Sequence, residues 1–295
     1  MSAGIAARSP AREFAAGFSR DRIALAALAV LVLLLAAALA APWLAPQDPY
    51  DLSRLDILDA RLPPGAAAAA GHTYWLGSDD QGRDMWSAIL YGLRTSLGVG
   101  LLSTILALGI GLAVGLVSAR AGGWIDALIM RLVDLQLSFP SILVALILLA
   151  LTGQGVDRII AALVVVQWAY YARTVRGAAM VELRREYVDA AVCAGYGEAR
   201  ILFRHVLPNV LPPLIVVATV QVAHAIALEA TLSFLGLGLP ITEPSLGLLI
   251  ANGYTYLLAG HYWISVFPGL ALLLTIVAIN LVGDRLRDVL NPRLQ

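Results

Sequence analysis

Six apolar stretches of membrane-crossing length constrain this chain more than any other feature. They run at roughly 23–45, 95–118, 136–153, 156–175, 211–236 and 264–284, and a helix crossing the hydrocarbon layer needs ~20 mostly apolar residues. Inside that layer every backbone N–H and C=O must find a partner within the protein, so spans of this kind are helical. With 60% hydrophobic and only 14% charged residues, the composition fits a membrane protein and not a soluble domain. The expected fold class is all-α, a polytopic membrane protein with six transmembrane helices. Thr152-Gly153-Gln154-Gly155, the only residues between the third and fourth spans, have turn chemistry and predict a tight helical hairpin. The first span follows Arg20 and Arg22 and contains Ala38-Leu39-Ala40, which looks like a signal-peptidase site. Its apolar run exceeds the ~7–15 residues of a signal peptide, so an uncleaved signal-anchor is expected.

Arginine placement gives the orientation. All 20 basic residues are Arg. With six spans and the N-terminus inside, one side holds Arg8, 12, 20, 22, 120, 131, 173, 176, 184, 185, 200, 204, 285, 287 and 293, and the other only Arg54, 61, 83, 94 and 158. That is the bias of the positive-inside rule, and it places both termini and the segment 182–213 in the cytoplasm. The chain then divides into a cytoplasmic tail (1–22), a signal-anchor (23–45), an external segment (46–92), a five-span core (93–290) that includes the loop 182–210, and a cytoplasmic C-terminus (291–295). The external segment is acid-rich (Asp48, 51, 56, 59, 79, 80 and 84). Its middle, Pro63-Pro64-Gly65 followed by alanines, reads as a flexible insertion. Its end, Trp75 to Asp84, alternates acid, Gly and Arg and predicts a turn stitched by side-chain hydrogen bonds.

Several functions are disfavoured by what the sequence contains. Zero net charge argues against nucleic acid as a partner. Without Lys there is no standard P-loop to reach the β/γ-phosphates, so ATP chemistry would belong to another subunit, and no catalytic residue or cofactor is expected here. The single Cys193 leaves no internal disulfide or Cys-based metal site, and His72, 205, 224 and 261 show no ligand pairing. Asp79-Asp80 and Asp126/Asp134 fall on opposite membrane sides, so they do not form one acidic catalytic site. An ion-gradient transporter is the alternative class, but no inverted repeat or pair of interrupted helices is evident.

The loop 182–213 carries the most specific chemistry. Residues 183–194 suggest a helix with Leu183, Tyr187, Ala190, Ala191 and Ala194 on one face, and Arg184, Arg185 and Val188 elsewhere. Gly195 supplies the positive-φ stop. A second helix over 197–206 presents Ile201, Leu202 and Val206, with Arg200 and Arg204 on its polar side; Pro208 is expected to end it, and Pro212-Pro213 to begin the next span. Small Ala190, Ala191 and Gly195 would admit a partner's backbone, and Asp189 would pair with a partner's base. An amphipathic helix resting on anionic lipid is the competing reading.

This pattern resembles the "EAA" loop of bacterial ABC importer permeases: Asp189-Ala190-Ala191, Gly195, and an ending Arg204-His205-Val206-Leu207-Pro208 at the family's spacing. Asp189 replaces Glu, and His205 stands where the general pattern has Ile, a change similar to the dipeptide/oligopeptide branch. Further likeness to that branch lies in Trp75 to Asp84, Tyr91 to Leu97, Gly123 to Pro140, Glu229 to Gly238, and Gly283 to Arg293. The long segment after the first span resembles the C-type subunit. The resemblance implies a MetI-like permease fold with a helix-turn-helix coupling loop, in the bacterial inner membrane. It also implies a second homologous permease, two ATP-binding ATPase subunits that use the ATP, and an external solute-binding protein, with Asp189, Ala190, Ala191, Gly195, Arg204, His205, Leu207 and Pro208 at the ATPase contact. Cargo would be di- or oligopeptides, with nickel, glutathione or another small solute as the alternative.

Within the spans, Gln221, Ala225 and Glu229 recur on one stripe near His224. Intramembrane acids face protein or a water-filled path, so the stripe reads either as translocation pathway or as a packed interface. Gly111 and Gly115 predict close helix packing, and Pro140 and Pro268 a kink or helix start. Trp168, Tyr170 and Tyr171, like Tyr262 and Trp263, read as interfacial aromatic belts.

Overall fold

The computed structural model describes residues 17–290, apart from 52–54, 69–70 and 72. Arg8, Arg12, Arg54, His72 and the 291–295 terminus lie outside the described residues. Among the described residues the helices of eight or more residues are α1 Arg22–Leu39, α2 Met85–Ala121, α3 Gly123–Ser138, α4 Ser141–Thr152, α5 Val156–Glu182, α6 Glu186–Cys193, α7 Glu198–Phe234, α8 Leu246–Tyr254 and α9 Trp263–Leu290. Four of them, α1, α2, α7 and α9, are long and apolar enough to cross a membrane. The pair α3–α4 meets that test only jointly and is bent by 89°. The expected third span, 136–153, is therefore the 12-residue α4 and the end of α3, broken where Phe139 and Pro140 leave helical geometry. Pro140 has no N–H to donate and holds the residue before it extended. Helix α5 covers the fourth expected span with 27 residues, but Asp157, Arg158, Gln167, Arg173 and Arg176 dilute its hydropathy.

Boundaries follow caps. The Asp21 side chain accepts from Ile23 N and Ala24 N at 2.9 and 3.2 Å to start α1. Asp84 accepts from Ser87 N at 2.8 Å to start α2. The helix that carries the second expected span thus begins at Met85, ahead of the expected 95. The stretch 85–93 is helical and nearly all buried. The hairpin 152–155 is present: Gly153 and Gly155 adopt φ of 88° and 146°.

The core forms where α2 lies along α5. An added Cβ on Gly111 would sit 2.3 Å from Tyr171 Cβ, and one on Gly115 2.7 Å from Ala172 O. Small residues here let the two backbones close to contact distance, the main cohesive device where lipid removes the hydrophobic drive. Tyr171 is fully buried in this seam and Trp263 is 6% exposed, so neither belongs to an aromatic belt. Trp263 instead donates Nε1–H to Ser78 O at 3.1 Å.

The segment before α2 is a folded cap. Ala66–Ala67 pairs antiparallel with Thr73–Tyr74, and Gly65 N donates to Tyr74 O at 2.8 Å. The expected flexible insertion is thus in part a hairpin. The turn at 78–84 is stitched as its residue types suggest. Asp79 Oδ1 accepts from Gln81 N and Arg83 N, both at 2.8 Å, and Asp79 Oδ2 from Arg83 Nε at 2.9 Å. Arg83 also reaches Ile241 O at 3.2 Å, fastening the cap to the α7–α8 connection.

Candidate functional site

Helix α6 is placed by two inward side chains. Val188 and Ala191 are buried with Ile201, Val206, Val175 and Ala179 in one cluster, and fully burying a Val or Ile contributes ~1.5–3 kcal/mol. The inward face is therefore Val188 and Ala191, a correction to the expected grouping: Tyr187, Ala190 and Ala194 point outward. Val188 sits three residues before Ala191, so a one-position error in reading the helix phase moved it to the wrong side.

The chain then turns in a Schellman motif. Gly195 has φ 75°, its N–H bonds Val192 O at 2.9 Å, and Tyr196 N–H bonds Ala191 O at 3.1 Å. An added Cβ on Gly195 would meet nothing within 4 Å, so the backbone conformation alone asks for glycine there.

Beyond the turn the expected stop at Pro208 is absent. Residues Ile201–Val206 form a π-helical segment that runs into Leu207–Phe234 without a break. Leu207 N–H bonds Leu202 O across this wider turn. Pro208 falls at the start of the following α-helical stretch, and Pro212 and Pro213 lie inside it. Pro208 has no N–H for an intrahelical bond, and the wider turn before it carries the chain past that missing donor.

Side chains lock the two helices together. Tyr187 Oη donates to Glu182 Oε2 at 2.7 Å and accepts from Asn209 Nδ2 at 3.2 Å, while Asn209 also bonds His205 O at 2.8 Å. Burial and the Glu182 carboxylate push the Tyr187 phenol above its usual pKa, so this donor stays protonated at neutral pH. His205 stacks on Tyr196 at 5.8 Å, and the Arg200 guanidinium lies 5.2 Å over the same tyrosine ring. Glu198 pairs with Arg120 at the end of α2; both side chains are substantially exposed, so that pair is worth ~0–1 kcal/mol. Sequence reasoning missed this network, because Tyr196 lies in the turn before Glu198, where no helical spacing signals its contact with Arg200.

The expected contact residues divide by exposure. Asp189, Ala190, Gly195, Arg204 and Pro208 are exposed; His205 and Leu207 are half-buried; Ala191 is buried against the chain's own core. Around the exposed set lie Val192 and Phe203, also exposed. The outward surface thus combines the carboxylates of Glu186 and Asp189, the Arg204 guanidinium, small residues and apolar side chains.

The intramembrane stripe lies elsewhere. Gln221, Ala225 and Glu229 are all buried within the chain. Glu229 accepts from Ser96 Oγ and Ser233 Oγ, each at 2.8 Å, and Ser96 Oγ also accepts from Leu246 N at 3.4 Å. This carboxylate joins α2 and α7 at the start of α8. Among the described residues no group of three metal-ligating side chains occurs.

Comparison with known proteins fits this arrangement. Residues 9–64 match the N-terminal TM domain of oligopeptide transport permease C. The chain is 39% identical over 287 residues to a di/tripeptide transport system permease protein of Pseudomonas aeruginosa, covering 97% of this chain and 93% of that one. It is 40% identical over 288 residues to the dipeptide transport system permease of Escherichia coli, covering 97% and 94%. It is also 36% identical to a glutathione transport system permease of Pectobacterium atrosepticum, covering 98% and 93%. The inward-facing MetNI methionine ABC transporter superposes with a TM-score of 0.57 at 23% identity, covering 70% of this chain and 97% of that one, and so shares the fold. Residues 105–295 match the family described as binding-protein-dependent transport system inner membrane component, and the chain belongs to that family.

Proposed function

We propose that this chain is one permease subunit of an ATP-driven peptide importer, moved through α6 and the base of α7 by ATPase subunits outside the membrane. The observation that carries this reading is mechanical: an exposed Asp189/Ala190/Gly195 surface sits on α6, and α6 is bolted through Val188 and Ala191 to a helix of 37 residues. A partner that shifts α6 therefore shifts the foot of a helix ~55 Å long at 1.5 Å per residue. A ligand-driven switch needs different contact energy in its two states; here the ATP-bound and ATP-free ATPases supply that difference. The hydrolytic site belongs to those partners, and this chain contributes no catalytic group. The same reading places two ATPases and a second, homologous permease beside it, a solute-binding protein on the far side, and both termini in the cytoplasm. Peptide cargo follows from the names of the relatives above.

The test is to purify the tagged chain from membranes in mild detergent and identify its stoichiometric partners by mass spectrometry. A second permease and Walker-type ATPases support the importer. Recovery of the chain alone, under conditions that preserve comparable complexes, overturns it. Asp189→Arg, on the exposed face, should abolish uptake at normal membrane levels.

A further inference from the structure

Three indoles and a carboxylate converge at the opposite end of α2. A pocket of about 420 Å³ is lined by Trp43, Leu44, Ala45, Pro46, Thr73, Trp75, Asp84 and Trp86, a volume typical of small-ligand sites. Trp75 and Trp86 form two of its walls, with ring centroids 6.5 Å apart and planes tilted by 45°. The Trp86 indole is held by its own bond to Leu44 O at 3.4 Å. Trp43 and Trp75 are 85% and 70% exposed, large apolar rings left open to the surroundings.

Asp84 lies among these rings at 1% exposure. Its Oδ2 accepts from Ser87 N and Ser87 Oγ, at 2.8 and 2.6 Å, while Oδ1 has no hydrogen-bond partner among the described residues. The neighbouring Arg83 makes its ion pair with Asp79 and bonds Ile241 O through Nη1; its Nη2 has no hydrogen-bond partner among the described residues, and no bond joins it to Asp84. A buried carboxylate oxygen without a partner carries an unmet desolvation cost. The flanking indole faces attract cations through their quadrupoles. The remaining cap acids, Asp48, Asp51, Asp56, Asp59, Asp79 and Asp80, outnumber Arg61 and Arg83 among its described residues, so the local field also favours positive charge.

We infer that Trp43, Trp75, Trp86 and Asp84 form a binding site for an organic primary ammonium group. The indoles take the methylene-bearing face of the cation and Asp84 Oδ1 accepts one N–H. That chemistry is shared by the free amino terminus of a peptide and by the headgroup of an aminophospholipid. The site stands apart from α6 and does not depend on the importer reading, since binding is measured at equilibrium without any ATPase.

The test uses the full chain in phosphatidylglycerol nanodiscs, titrated by calorimetry with propylammonium and, as the uncharged counterpart, propanol. Saturable binding of propylammonium alone is expected, weakened at least tenfold in Asp84→Asn and in Trp75→Leu. Asparagine keeps a helix N-cap, and Trp75 is exposed, so both variants should melt like the native chain. Competition by alanyl-alanine but not its N-acetyl form assigns the site to peptide; loss of propylammonium binding in phosphatidylethanolamine discs assigns it to lipid, and either supports the site. No saturable binding by the native chain, or unchanged affinity in both variants, overturns it.

Discussion

Substituting Gly195 separates backbone geometry from surface contact, because an added Cβ there touches nothing within 4 Å. At φ 75° an L-residue with a Cβ costs ~1–2 kcal/mol more than glycine. In Gly195→Ala that strain falls on a turn held by two backbone bonds, Gly195 N to Val192 O and Tyr196 N to Ala191 O. A cost of this size shifts the closed-to-open ratio of the turn by ~5–30-fold. Asparagine enters the left-handed region readily, so Gly195→Asn should keep the turn. Aspartate shares that tolerance but adds a carboxylate to the exposed face six positions from Asp189. Hydrogen exchange of the Tyr196 amide should then accelerate by ~5–30-fold in Ala and little in Asn or Asp. Uptake of a labelled dipeptide, normalised to membrane level, should fall in Ala, stay near normal in Asn and vanish in Asp. If Ala exchanges and transports like the native chain, the strain argument is wrong; if Asp transports normally, the exposed face does not dock a partner.

Other perturbations probe the rest of the molecule. Glu229→Gln leaves one acceptor oxygen for two serine donors, so Ser96 or Ser233 must reverse; a loss of ~1–3 kcal/mol in stability is expected. A thermal melt in detergent reads that loss, while the preference between cationic and neutral dipeptides should not change, and a changed preference would return Glu229 to the pathway. Gly111→Ala drives a methyl to 2.3 Å from Tyr171 Cβ and should cost ~1–3 kcal/mol, whereas Gly109→Ala, which meets nothing within 4 Å, should be silent in the same melt. Burial, and then the neighbouring Asp79, raise the Asp80 carboxyl above its usual pKa. The folded cap thus favours the protonated form, a stabilisation present at low pH and lost as pH rises through the raised pKa. Asp80→Asn should raise the melting temperature at pH 7 and narrow its difference from pH 5.

Four of the six expected spans, those now in α1, α2, α7 and α9, were legible because apolar runs of helical length leave the backbone no other solution in lipid. Helix ends were less so, and for a consistent reason. The stretch up to residue 92 reads as part of the segment before the second span, yet residues from Met85 on are helical and buried against α8 and α9. Pro208, Pro212 and Pro213 read as a boundary, yet the π-helical turn at 201–206 carries the chain into α7 without one. In both cases tertiary packing overrides a local signal. The short helix α8 went unseen because Leu246–Tyr254 is a short apolar run whose burial depends on α7: a Cβ on Gly247 would lie 2.4 Å from Ala230 O. At the loop, spacing and the glycine were readable one residue at a time. The inward placement of Val188 was not, since Val192, four positions on, is equally apolar and points outward.

The same packing decides how far a push on α6 travels. At its foot α7 has lost three backbone donors, at Pro208, Pro212 and Pro213, and its first turns are wound as a π segment, a geometry enriched at functional sites. At its far end it is fixed three times: Glu229 to Ser96 on α2, Ala230 against Gly247 on α8, and, past its last residue, Ile241 O to Arg83 of the cap. A helix weak at the foot and tethered at the head bends near its base under load. Displacement of α6 should therefore open the end of the bundle that carries Arg120 and Glu198 while α2, α8 and the cap move as one body. Cross-linking can settle this. A bond between α2 and α8 near Ser96 and Leu246 should leave transport intact, whereas one joining the ends of α2 and α7 at residues 120 and 198 should stop it. Equal loss of transport from both would mean that the head of α7 moves as well.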